Sequence, residues 1–293
     1  TCKDSINKTV TVYSNPVADF DADSVCFGEQ TCFLDKSMVT NSVLTAWQWN
    51  FGDGTNNNTN APCHTYASAN QAPGYAIKLV VTSAQGCKDS VTKNIPVYTL
   101  PVAAFTATDE CLNVASSITD NSVNTSTYQW DYGFPGANSN SSGTHTYYFL
   151  NAGAGNYTIE LVTTTQYGCT DTATQTITIH PMPTADFNFT NVCDGLALPL
   201  NDASNVSTGV ITGWEWFYGD QTPNGNTQNT THTYANCGKY NASLVVTSDN
   251  GCTDTITKQV EVYPNPVVDF TPTEVCLGTN SQFNDLTNLS CNG

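Results

Sequence analysis

Apolar and polar residues alternate along most of the chain, in short runs that end at turn residues. Residues 75–82 place an aromatic or aliphatic residue at every second position, and residues 46–51 place two tryptophans and a phenylalanine on one face. A period of two is the pattern of β-strands with one buried face. The first 98 residues are therefore predicted to contain strands at 17–25, 31–36, 46–51, 62–66, 75–82 and 87–98, with a tight turn at 52–54 and a polar stretch at 55–61.

The whole pattern returns at a nearly fixed interval. A phenylalanine, a proline and two cysteines recur, and each series steps by 85, 82 and then 83 residues. The positions are Phe20, Phe105, Phe187 and Phe270; Pro16, Pro101, Pro183 and Pro266; Cys26, Cys111, Cys193 and Cys276; and Cys2, Cys87, Cys169 and Cys252. Such self-similarity is the signature of a repeat array. It predicts whole repeats at 15–98, 99–180 and 181–263, the C-terminal end of a preceding repeat at 1–14, and the N-terminal part of a further repeat at 264–293. We expect the sequence to be a window on a longer protein.

Short strands with alternating patterning, about seven to a repeat, are typical of an immunoglobulin-like β-sandwich. We therefore predict an all-β fold of tandem sandwiches. The linkers between repeats are about four residues long and contain proline, and such linkers act as semi-rigid spacers. The sandwiches are expected to form an extended rod, with roughly 35–45 Å per repeat if strands of about ten residues set the length.

Charge and cysteine content narrow the class of protein. The chain has 8 basic residues, all of them lysine, against 25 acidic residues, for a net charge of −17. So few cations leave little to neutralise phosphate, and neither nucleic acid nor an anionic membrane is an expected partner. No apolar run approaches 18 residues, so no membrane insertion is expected. Twelve cysteines in a β-rich chain favour an oxidising, extracellular compartment.

One motif carries a specific resemblance. Residues 47–54 read WQWNFGDG, residues 63–67 read CHTYA, and residues 74–87 read GYAIKLVVTSAQGC. Together they resemble the polycystic kidney disease (PKD) domain, whose hallmark is a Trp-Asp-Phe-Gly-Asp-Gly strand and turn followed by a His-Thr-Tyr strand. With its two recurring cysteines, the variant resembles tandem PKD arrays of Bacteroidota cell-surface proteins, including gliding-motility adhesins. The resemblance covers the whole chain and implies a non-enzymatic filament or surface role.

The motif differs between repeats. Asn50 replaces the usual aspartate in the first repeat. Residues 133–136 of the second repeat read GFPG in place of Gly-Asp-Gly, and residues 219–221 of the third read GDQ. Any role that depends on Asp53 is therefore not shared by all repeats.

The recurring cysteines allow two pairing schemes. One disulfide within each repeat, such as Cys26–Cys87, is the simpler expectation. In an immunoglobulin-like strand order, however, Cys26 ends strand A at one pole of the sandwich, and Cys87 opens strand G at the other. About eight strand residues separate the poles, at about 3.3 Å each, whereas a disulfide needs Cα atoms within about 7 Å. We therefore favour bridges between consecutive repeats, Cys26–Cys169 and Cys111–Cys252. Cys193 and Cys276 would pair with following repeats, and Cys2 and Cys87 with preceding ones.

Four further cysteines occur in one repeat only. Cys237 lies before strand F of the third repeat and Cys291 follows strand B of the last segment, so both would face the same junction and pair across it. Cys32 and Cys63 lie on strands B and E, which are neighbours in this fold, and we predict that they pair within the first repeat. No Cys-x-x-Cys spacing supports a zinc site.

Histidines and tryptophans recur with the motif. His64, His145 and His232 are expected at the same place in each repeat, and we interpret each as a histidine with a fixed hydrogen bond, because one histidine per repeat is not a metal ligand set. The strand C tryptophans are interpreted as core residues rather than as sugar-stacking platforms, with Phe217 as the exposed exception. These tryptophans are Trp47, Trp49, Trp130, Trp214 and Trp216.

Carboxylates on strand A are the best candidates for a metal. Asp19, Asp21 and Asp23 alternate along the strand and offer the hard oxygen ligands that Ca²⁺ prefers. Only Asp19 has equivalents, at Asp186 and Asp269, so solvated carboxylates are the favoured interpretation. We predict no cofactor, and Ca²⁺ is the one ion kept as a candidate.

A short surface motif recurs where strand G begins. Aspartate, a hydroxyl residue and a small aliphatic residue follow one another at 4–6, 89–91, 171–173 and 254–256, and again at 23–25. This order matches the O-glycosylation acceptor pattern of Bacteroidota, and the hydroxyl is expected to face solvent. The candidate acceptors are Ser5, Ser24, Ser90, Thr172 and Thr255, and the alternative is a strand hydroxyl without sugar.

No catalytic constellation is evident, because the chain lacks a Gly-x-Ser-x-Gly elbow and a phosphate-binding loop. We predict a non-enzymatic, extracellular stalk segment of a long cell-surface adhesin or filament, with gliding adhesins as one such class. Its partners would be neighbouring repeats of the same chain, and surface glycans or proteins would bind a distal region. The alternative is a polysaccharide- or protein-binding accessory module of a secreted hydrolase. A third class, a lattice-forming surface-layer protein, would show lateral contacts between arrays.

Overall fold

The computed structural model describes residues 2–150, 153–289 and 291. Every regular element of these residues is a β-strand, which confirms the all-β prediction. None of them forms a helix long and apolar enough to cross a membrane. The parts of the predicted segments 1–14 and 264–293 that fall on residues 1, 290, 292 and 293 lie outside the described residues.

Contacts between Cα atoms divide the chain into two compact units. The first contains residues 1–106, 119–143 and 159–174, and the second contains residues 107–118, 144–158 and 175–293. The first unit thus holds the whole first repeat and the second holds the whole third repeat, while the division passes through the middle one.

The first repeat is a sandwich of two sheets. A three-stranded sheet has the order β1-β3-β6, and a five-stranded sheet has the order β2-β8-β7-β4-β5. The strands are β1 (Phe20–Ala22), β2 (Val25–Cys26), β3 (Gln30–Asp35), β4 (Leu44–Asn50), β5 (Asn56–Asn57), β6 (Cys63–Thr65), β7 (Asn70–Ser83) and β8 (Lys88–Tyr98).

The prediction of one continuous strand at 17–25 is wrong. β1 pairs antiparallel with β3, whereas β2 pairs parallel with β8, so the chain changes sheet between them. Two polar residues, Asp23 and Ser24, form the crossing. Alternation of polar and apolar residues does not reveal such a crossing, because both halves bury one face against the same core.

A short edge strand was also not predicted. β5 lies in the polar stretch and pairs with β4, with Trp49 opposite Asn57. Its asparagines carry no apolar alternation, because an edge strand of two residues has no face in the core. The repeat therefore has eight strands rather than about seven.

The middle repeat has the same two sheets, ordered β14-β11-β9 and β10-β16-β15-β12-β13. Its strands are β9 (Phe105–Ala107), β10 (Glu110–Cys111), β11 (Ala115–Asp120), β12 (Thr127–Asp131), β13 (Asn138–Ser139), β14 (His145–Tyr148), β15 (Gly155–Thr164) and β16 (Thr170–His180). The first strand is again divided, because β10 pairs parallel with the end of β16.

The third repeat has the sheets β17-β19-β21 and β18-β23-β22-β20. Its strands are β17 (Phe187–Phe189), β18 (Val192–Cys193), β19 (Leu198–Asp202), β20 (Ile211–Phe217), β21 (Asn229–His232), β22 (Gly238–Ser248) and β23 (Thr253–Tyr263). An isolated bridge between Trp216 and Gly225 takes the place of the short edge strand.

The two terminal segments differ from the three repeats. Residues 2–14 are exposed and lie outside any strand. The last segment has two two-stranded sheets, formed by β24 (Pro266–Val267) with β27 (Asn288–Leu289) and β25 (Phe270–Pro272) with β26 (Phe283–Asp285). Phe270 and Phe283 are 55% and 68% exposed, although their counterparts Phe20 and Phe33 are buried in the first repeat. This segment therefore carries the first half of a sandwich without its core.

Each core is built around the second aromatic residue of strand C. Trp49, Trp130 and Trp216 are fully buried and face the first-strand phenylalanines edge-on. The residues two positions earlier, Trp47 and Trp214, are only partly buried against the core. The core interpretation therefore holds for three of the five tryptophans, and the other two lie at the margin.

Candidate functional site

The turn after strand C brings an aspartate and a histidine together in the first and third repeats. Asp53 Oδ2 lies 2.6 Å from His64 Nε2, and Asp220 Oδ2 lies 2.7 Å from His232 Nε2. The side chains of the first pair are each 17% exposed. The His64 ring stacks on Phe51 at 4.4 Å and meets Tyr66 edge-on at 4.6 Å. Ring contacts and one short hydrogen bond thus hold the histidine, as predicted for these two positions.

Local backbone geometry places the aspartate. Gly52 has φ of 79°, and a Cβ there would lie 2.9 Å from the backbone of Ala76 on β7. Only glycine fits, because it tolerates both the positive φ and the close approach. The Asp53 carboxylate then accepts hydrogen bonds from the Thr55 amide at 3.0 Å and the Thr55 hydroxyl at 2.6 Å.

These contacts set the charge state of the carboxylate. Burial raises the pKa of Asp53, but hydrogen bonds from Thr55 and His64 outweigh burial and hold the pKa below its ordinary value of 3.8. Asp220 has the same lowered pKa, for the same causes through Thr222 and His232. The turn therefore carries an ionised carboxylate above acidic pH.

The middle repeat does not follow the sequence alignment here. His64 lies opposite Thr31 on the neighbouring strand, and His232 lies opposite the equivalent Leu198. His145 instead lies opposite Ile118, and Tyr147 takes the position opposite Ser116. The prediction that all three histidines occupy the same place is therefore wrong for His145, because β14 is shifted by two residues.

The shift is compatible with the strand pattern, since a move of two residues keeps the same side chains on the same face. Tyr147 meets Phe149 edge-on at 5.0 Å, as His64 meets Tyr66, and Phe149 packs on Tyr157 as Tyr66 packs on Tyr75. Phe149 is fully buried. The signal available in the sequence was the additional aromatic residue two positions after Tyr147.

The structure brings together all four predicted cysteine pairs. Cys26 and Cys169 form a disulfide with Cα atoms 5.6 Å apart, and so do Cys111 and Cys252. Cys32–Cys63 and Cys237–Cys291 have Cα separations of 4.0 and 5.3 Å. The remaining cysteines of the described chain, Cys2, Cys87, Cys193 and Cys276, are free.

The parallel pairing of β2 with β8 explains why Cys26 does not reach Cys87. Cys26 lies beside Tyr98, the last residue of β8, whereas Cys87 precedes the first residue of that strand. A strand of 11 residues spans about 36 Å at about 3.3 Å per residue. Cys26 instead meets Cys169, next to the stacked rings of Tyr98 and Tyr167, whose centroids are 3.9 Å apart.

The aspartates that open strand G have a structural use that the sequence did not reveal. Asp89, Asp171 and Asp254 each accept a hydrogen bond from a backbone amide at the start of the same repeat, at 2.8, 2.9 and 2.8 Å. The next residue points away from the sandwich, and Ser90, Thr172 and Thr255 are all exposed. Ser5 and Ser24 are exposed as well. The aspartate therefore ties strand G to strand A, and the hydroxyl beside it faces solvent.

The strand A carboxylates are held by lysines. Asp19 Oδ1 lies 2.7 Å from Lys93 Nζ, and Asp186 makes the same pair with Lys258. Asp21, the second candidate Ca²⁺ ligand, lies 3.7 Å from Lys36. Among the described residues, no group of three or more histidine, cysteine or acidic side chains is arranged to hold a metal.

Tandem sandwiches of this strand order, with a glycine turn after a buried strand C tryptophan, define the chain as a series of immunoglobulin-like modules. A family model for the PKD domain matches residues 13–99 and 180–262. These two segments make up more than half of the sequence, and the chain belongs to the PKD domain family. The middle repeat, which lacks the Gly-Asp turn, lies between the matched segments. PKD domains are typically non-catalytic accessory modules.

Individual relatives match parts of the chain. The pre-pro-metalloprotease PrtV of Vibrio cholerae is 30% identical over 170 residues, which are 55% of this chain and 17% of PrtV. The match therefore covers less than a fifth of that relative. The crystal structure of the PKD1 domain of Vibrio anguillarum Epp is 28% identical and covers 28% of this chain and 93% of that one, with a TM-score of 0.26. The PKD1 domain of PrtV gives 28% identity, coverage of 28% and 96%, and a TM-score of 0.25.

Proposed function

We propose that this chain is a non-enzymatic, extracellular stalk segment of a long cell-surface adhesin or filament, such as a gliding adhesin. The pairing of Cys26 with Cys169 and of Cys111 with Cys252 carries the proposal, because each bridge joins one repeat to the next. A disulfide within a repeat stabilises that repeat alone. A disulfide across a linker keeps neighbours joined when either one opens, which suits a protein under tension.

Other features support the same function. Disulfides persist in oxidising compartments, which supports an extracellular location for the segment. A net charge of −17 keeps long chains soluble and apart from one another. Short linkers with proline favour an extended arrangement that holds a distal binding region away from the cell. That distal region would bind surface glycans or other cell-surface proteins, while the partners of this segment are its neighbouring repeats.

Two measurements test the stalk. Non-reduced peptide mapping of native protein should link the Cys26 peptide to the Cys169 peptide, and a Cys26–Cys87 link would contradict the pairing. Cells that carry Cys26→Ser with Cys169→Ser should bind normally at rest but detach earlier under shear flow. Cys32→Ser with Cys63→Ser, which removes a bridge within one repeat, is the matched control. Equal retention of both variants under flow would overturn the stalk function.

O-glycosylation of Ser90, Thr172 and Thr255, with Ser5 and Ser24, is part of the proposal. It is supported by a hydroxyl that is exposed in every repeat, next to an aspartate whose carboxylate binds a backbone amide of strand A. Mass spectrometry of native peptides should show sugar mass on Ser90 that Ser90→Ala removes. Thr92→Ala, which alters an exposed hydroxyl on the same strand without a preceding aspartate, should leave it unchanged. Bare peptides would refute the modification.

An accessory module of a secreted hydrolase is the second candidate, because the sequence relative PrtV is a metalloprotease. In that case the purified chain should sediment with an insoluble polysaccharide or with a protein substrate. The partly buried Trp214, whose Nε1 donates to Asp202 at 2.8 Å, would be the first side chain to replace in such an assay. Failure to sediment with either class of substrate would contradict the accessory-module function and favour the stalk function.

A further inference from the structure

The spacing of the recurring cysteines separates each repeat into a part of fixed length and a part of variable length. From the cysteine that opens strand G to the cysteine that ends strand A of the next repeat there are always 24 positions. The four cases are Cys2 to Cys26, Cys87 to Cys111, Cys169 to Cys193 and Cys252 to Cys276. The remaining intervals, 26 to 87, 111 to 169 and 193 to 252, are 61, 58 and 59 positions long. All variation in repeat length thus lies outside the 24-residue segments.

From this spacing and the disulfides we infer that tension travels through the 24-residue segments and bypasses most of each sandwich. The inference rests on the stalk function proposed above and identifies which residues bear the load. Tension that reaches Cys26 crosses its disulfide to Cys169 and continues along the chain to Cys193. The second route runs from Cys87 to Cys111 and crosses to Cys252 in the same way.

The bypassed residues are most of the repeat. Residues 27–98 of the first repeat, from β3 to the end of β8, lie between two points that the Cys26–Cys169 bridge already joins. Pulling on the chain before Cys26 and after Cys169 therefore places no tension on them. The bridge closes 143 residues in all, including the linker after β8 and the middle repeat up to Cys169.

The load-bearing segments are already extended in the folded state. The segment 169–193 consists of β16, a linker with two prolines, and the divided first strand β17 and β18. Strand residues advance about 3.3 Å each, close to the limit of about 3.3–3.6 Å for a stretched chain. Tension along this segment therefore gains little length, which makes the array stiff without requiring that its sandwiches resist unfolding.

Both ends of such a segment are anchored inside a sandwich. Asp171, next to Cys169, accepts the Ala103 amide, and β18 pairs in parallel with the end of β23. The sandwiches therefore act as clamps that hold the ends of the extended segments. The number of residues in each sandwich outside these segments can therefore vary by a few, whereas the length of the segments between clamps cannot.

The test is to pull the whole oxidised chain between positions 14 and 196 with optical tweezers. Handles are attached through unnatural amino acids, so that no cysteine is added. With the Cys26–Cys169 bridge intact, the route contains about 40 residues and stretches to at most about 140 Å. With Cys26→Ser and Cys169→Ser, the route contains about 150 residues, because the intact Cys32–Cys63 bridge still bypasses 31 positions. It should reach about 520 Å after the sandwiches unfold. Reduction of the unaltered chain with dithiothreitol in the same experiment also opens Cys32–Cys63 and should extend the route to about 180 residues and about 630 Å. This measurement does not depend on folding of the variant.

Removal of the other bridge is the matched control. Cys111→Ser with Cys252→Ser should leave the maximum length between positions 14 and 196 unchanged. A gain of only about 100 Å on removing Cys26, with Cys32–Cys63 intact, would mean that Cys26 pairs with Cys87 and would overturn the inference. Unfolding steps of the first repeat in the oxidised chain would overturn it as well. If the lengths agree while retention of cells under shear flow is unaffected, the load path stands and the stalk function fails.

Discussion

The turn after strand C carries a paired aspartate and histidine in the outer repeats, and the middle repeat lacks that aspartate. Asp53 and Asp220 pair with histidines at 2.6 and 2.7 Å. At the corresponding place in the middle repeat the sequence has Phe134, and Tyr147 takes the strand position of the histidine. The turn backbone is bound by Asp131, whose carboxylate accepts the Gly133 amide at 2.8 Å. A turn with an aspartate–histidine hydrogen bond and an aromatic turn, in which Phe134 and Tyr147 take those two positions, thus close the same sandwich.

One more contact changes from charged to neutral in the middle repeat. Lys93 and Lys258 pair with strand A aspartates, whereas Gln175 exchanges two neutral hydrogen bonds with the backbone of Ala107, at 3.0 and 2.9 Å. Trp47 donates to Asp35 at 2.6 Å, and Tyr128, at that position in the middle repeat, hydrogen-bonds to the equivalent Asp120, so this contact to a carboxylate is kept. The middle repeat replaces the cations and the turn carboxylate while keeping the strand order.

The contacts that remain in all three repeats define what the fold requires. They are the buried tryptophan of strand C, the positive-φ glycine after it, and the strand G aspartate that binds the strand A backbone. The charged contacts are therefore additions that adjust stability. Their contribution can be measured by replacing the turn aspartates, by lowering the pH and by replacing Lys93. Replacement of Phe149 tests the aromatic packing of the middle repeat.

The largest effect is expected at Phe149, the residue that the two-residue shift places in the core. Phe149→Ala should destabilise the middle repeat by about 3–5 kcal/mol, the usual cost of removing a buried phenylalanine ring. Hydrogen exchange followed by mass spectrometry resolves the repeats, which a single melting temperature of a multidomain chain does not. His145→Ala should cost less, because the shift moves His145 away from the place that His64 takes in the first repeat. A larger loss for His145→Ala than for Phe149→Ala would restore the unshifted alignment.

This shift marks the limit of what the sequence could predict. The four cysteine pairs and the buried tryptophans of strand C follow from spacing and from a period of two. Such a period does not distinguish registers that differ by two residues, so β14 was misplaced. It also does not report a change of sheet within a strand, as at Asp23 and Ser24, or an edge strand of asparagines such as β5. Those features depend on which distant strands pair with each other, and the local alternation of polar and apolar residues carries no information about that pairing.

The next effect concerns the turn carboxylates. Asp53→Ala should destabilise the first repeat by about 1–3 kcal/mol, because it removes the charge-assisted hydrogen bonds of the carboxylate and leaves His64 only the longer contact with the Thr55 hydroxyl at 3.3 Å. Asp53→Asn keeps an acceptor for Thr55 and should cost less. Hydrogen exchange in β4, β6 and β7 measures the loss, and the protection of the middle repeat should not change. Equal losses of protection in the first and middle repeats would show that the turn carboxylate does not stabilise the first repeat alone.

Acidification should destabilise the outer repeats more than the middle one, by a smaller amount that grows gradually as the pH falls. The folded pKa values of Asp53 and Asp220 lie below 3.8. Their stabilising contribution is therefore complete above the unfolded pKa and is lost as the pH falls through the lower folded value. Between pH 5 and pH 2 the outer repeats should lose more protection from exchange than the middle repeat. Asp53→Asn with Asp220→Asn should remove the difference, and an unaltered difference would assign it to other carboxylates.

The smallest effect is expected for the lysine pairs, because these side chains are near the surface. Lys93 and Asp19 are 36% and 51% exposed, and exposed ion pairs contribute little and are screened by salt. Lys93→Gln, which gives the first repeat the glutamine of the middle one, should lower its protection slightly at low ionic strength and not at all in 1 M salt. If the loss persists in high salt, the lysine acts through packing of its stem on Phe20, whose ring centroid lies 5.1 Å from Nζ. In that case the two repeats differ at this site in side-chain packing rather than in charge, and the hydrogen bonds of the glutamine do not compensate for the lost packing of the lysine.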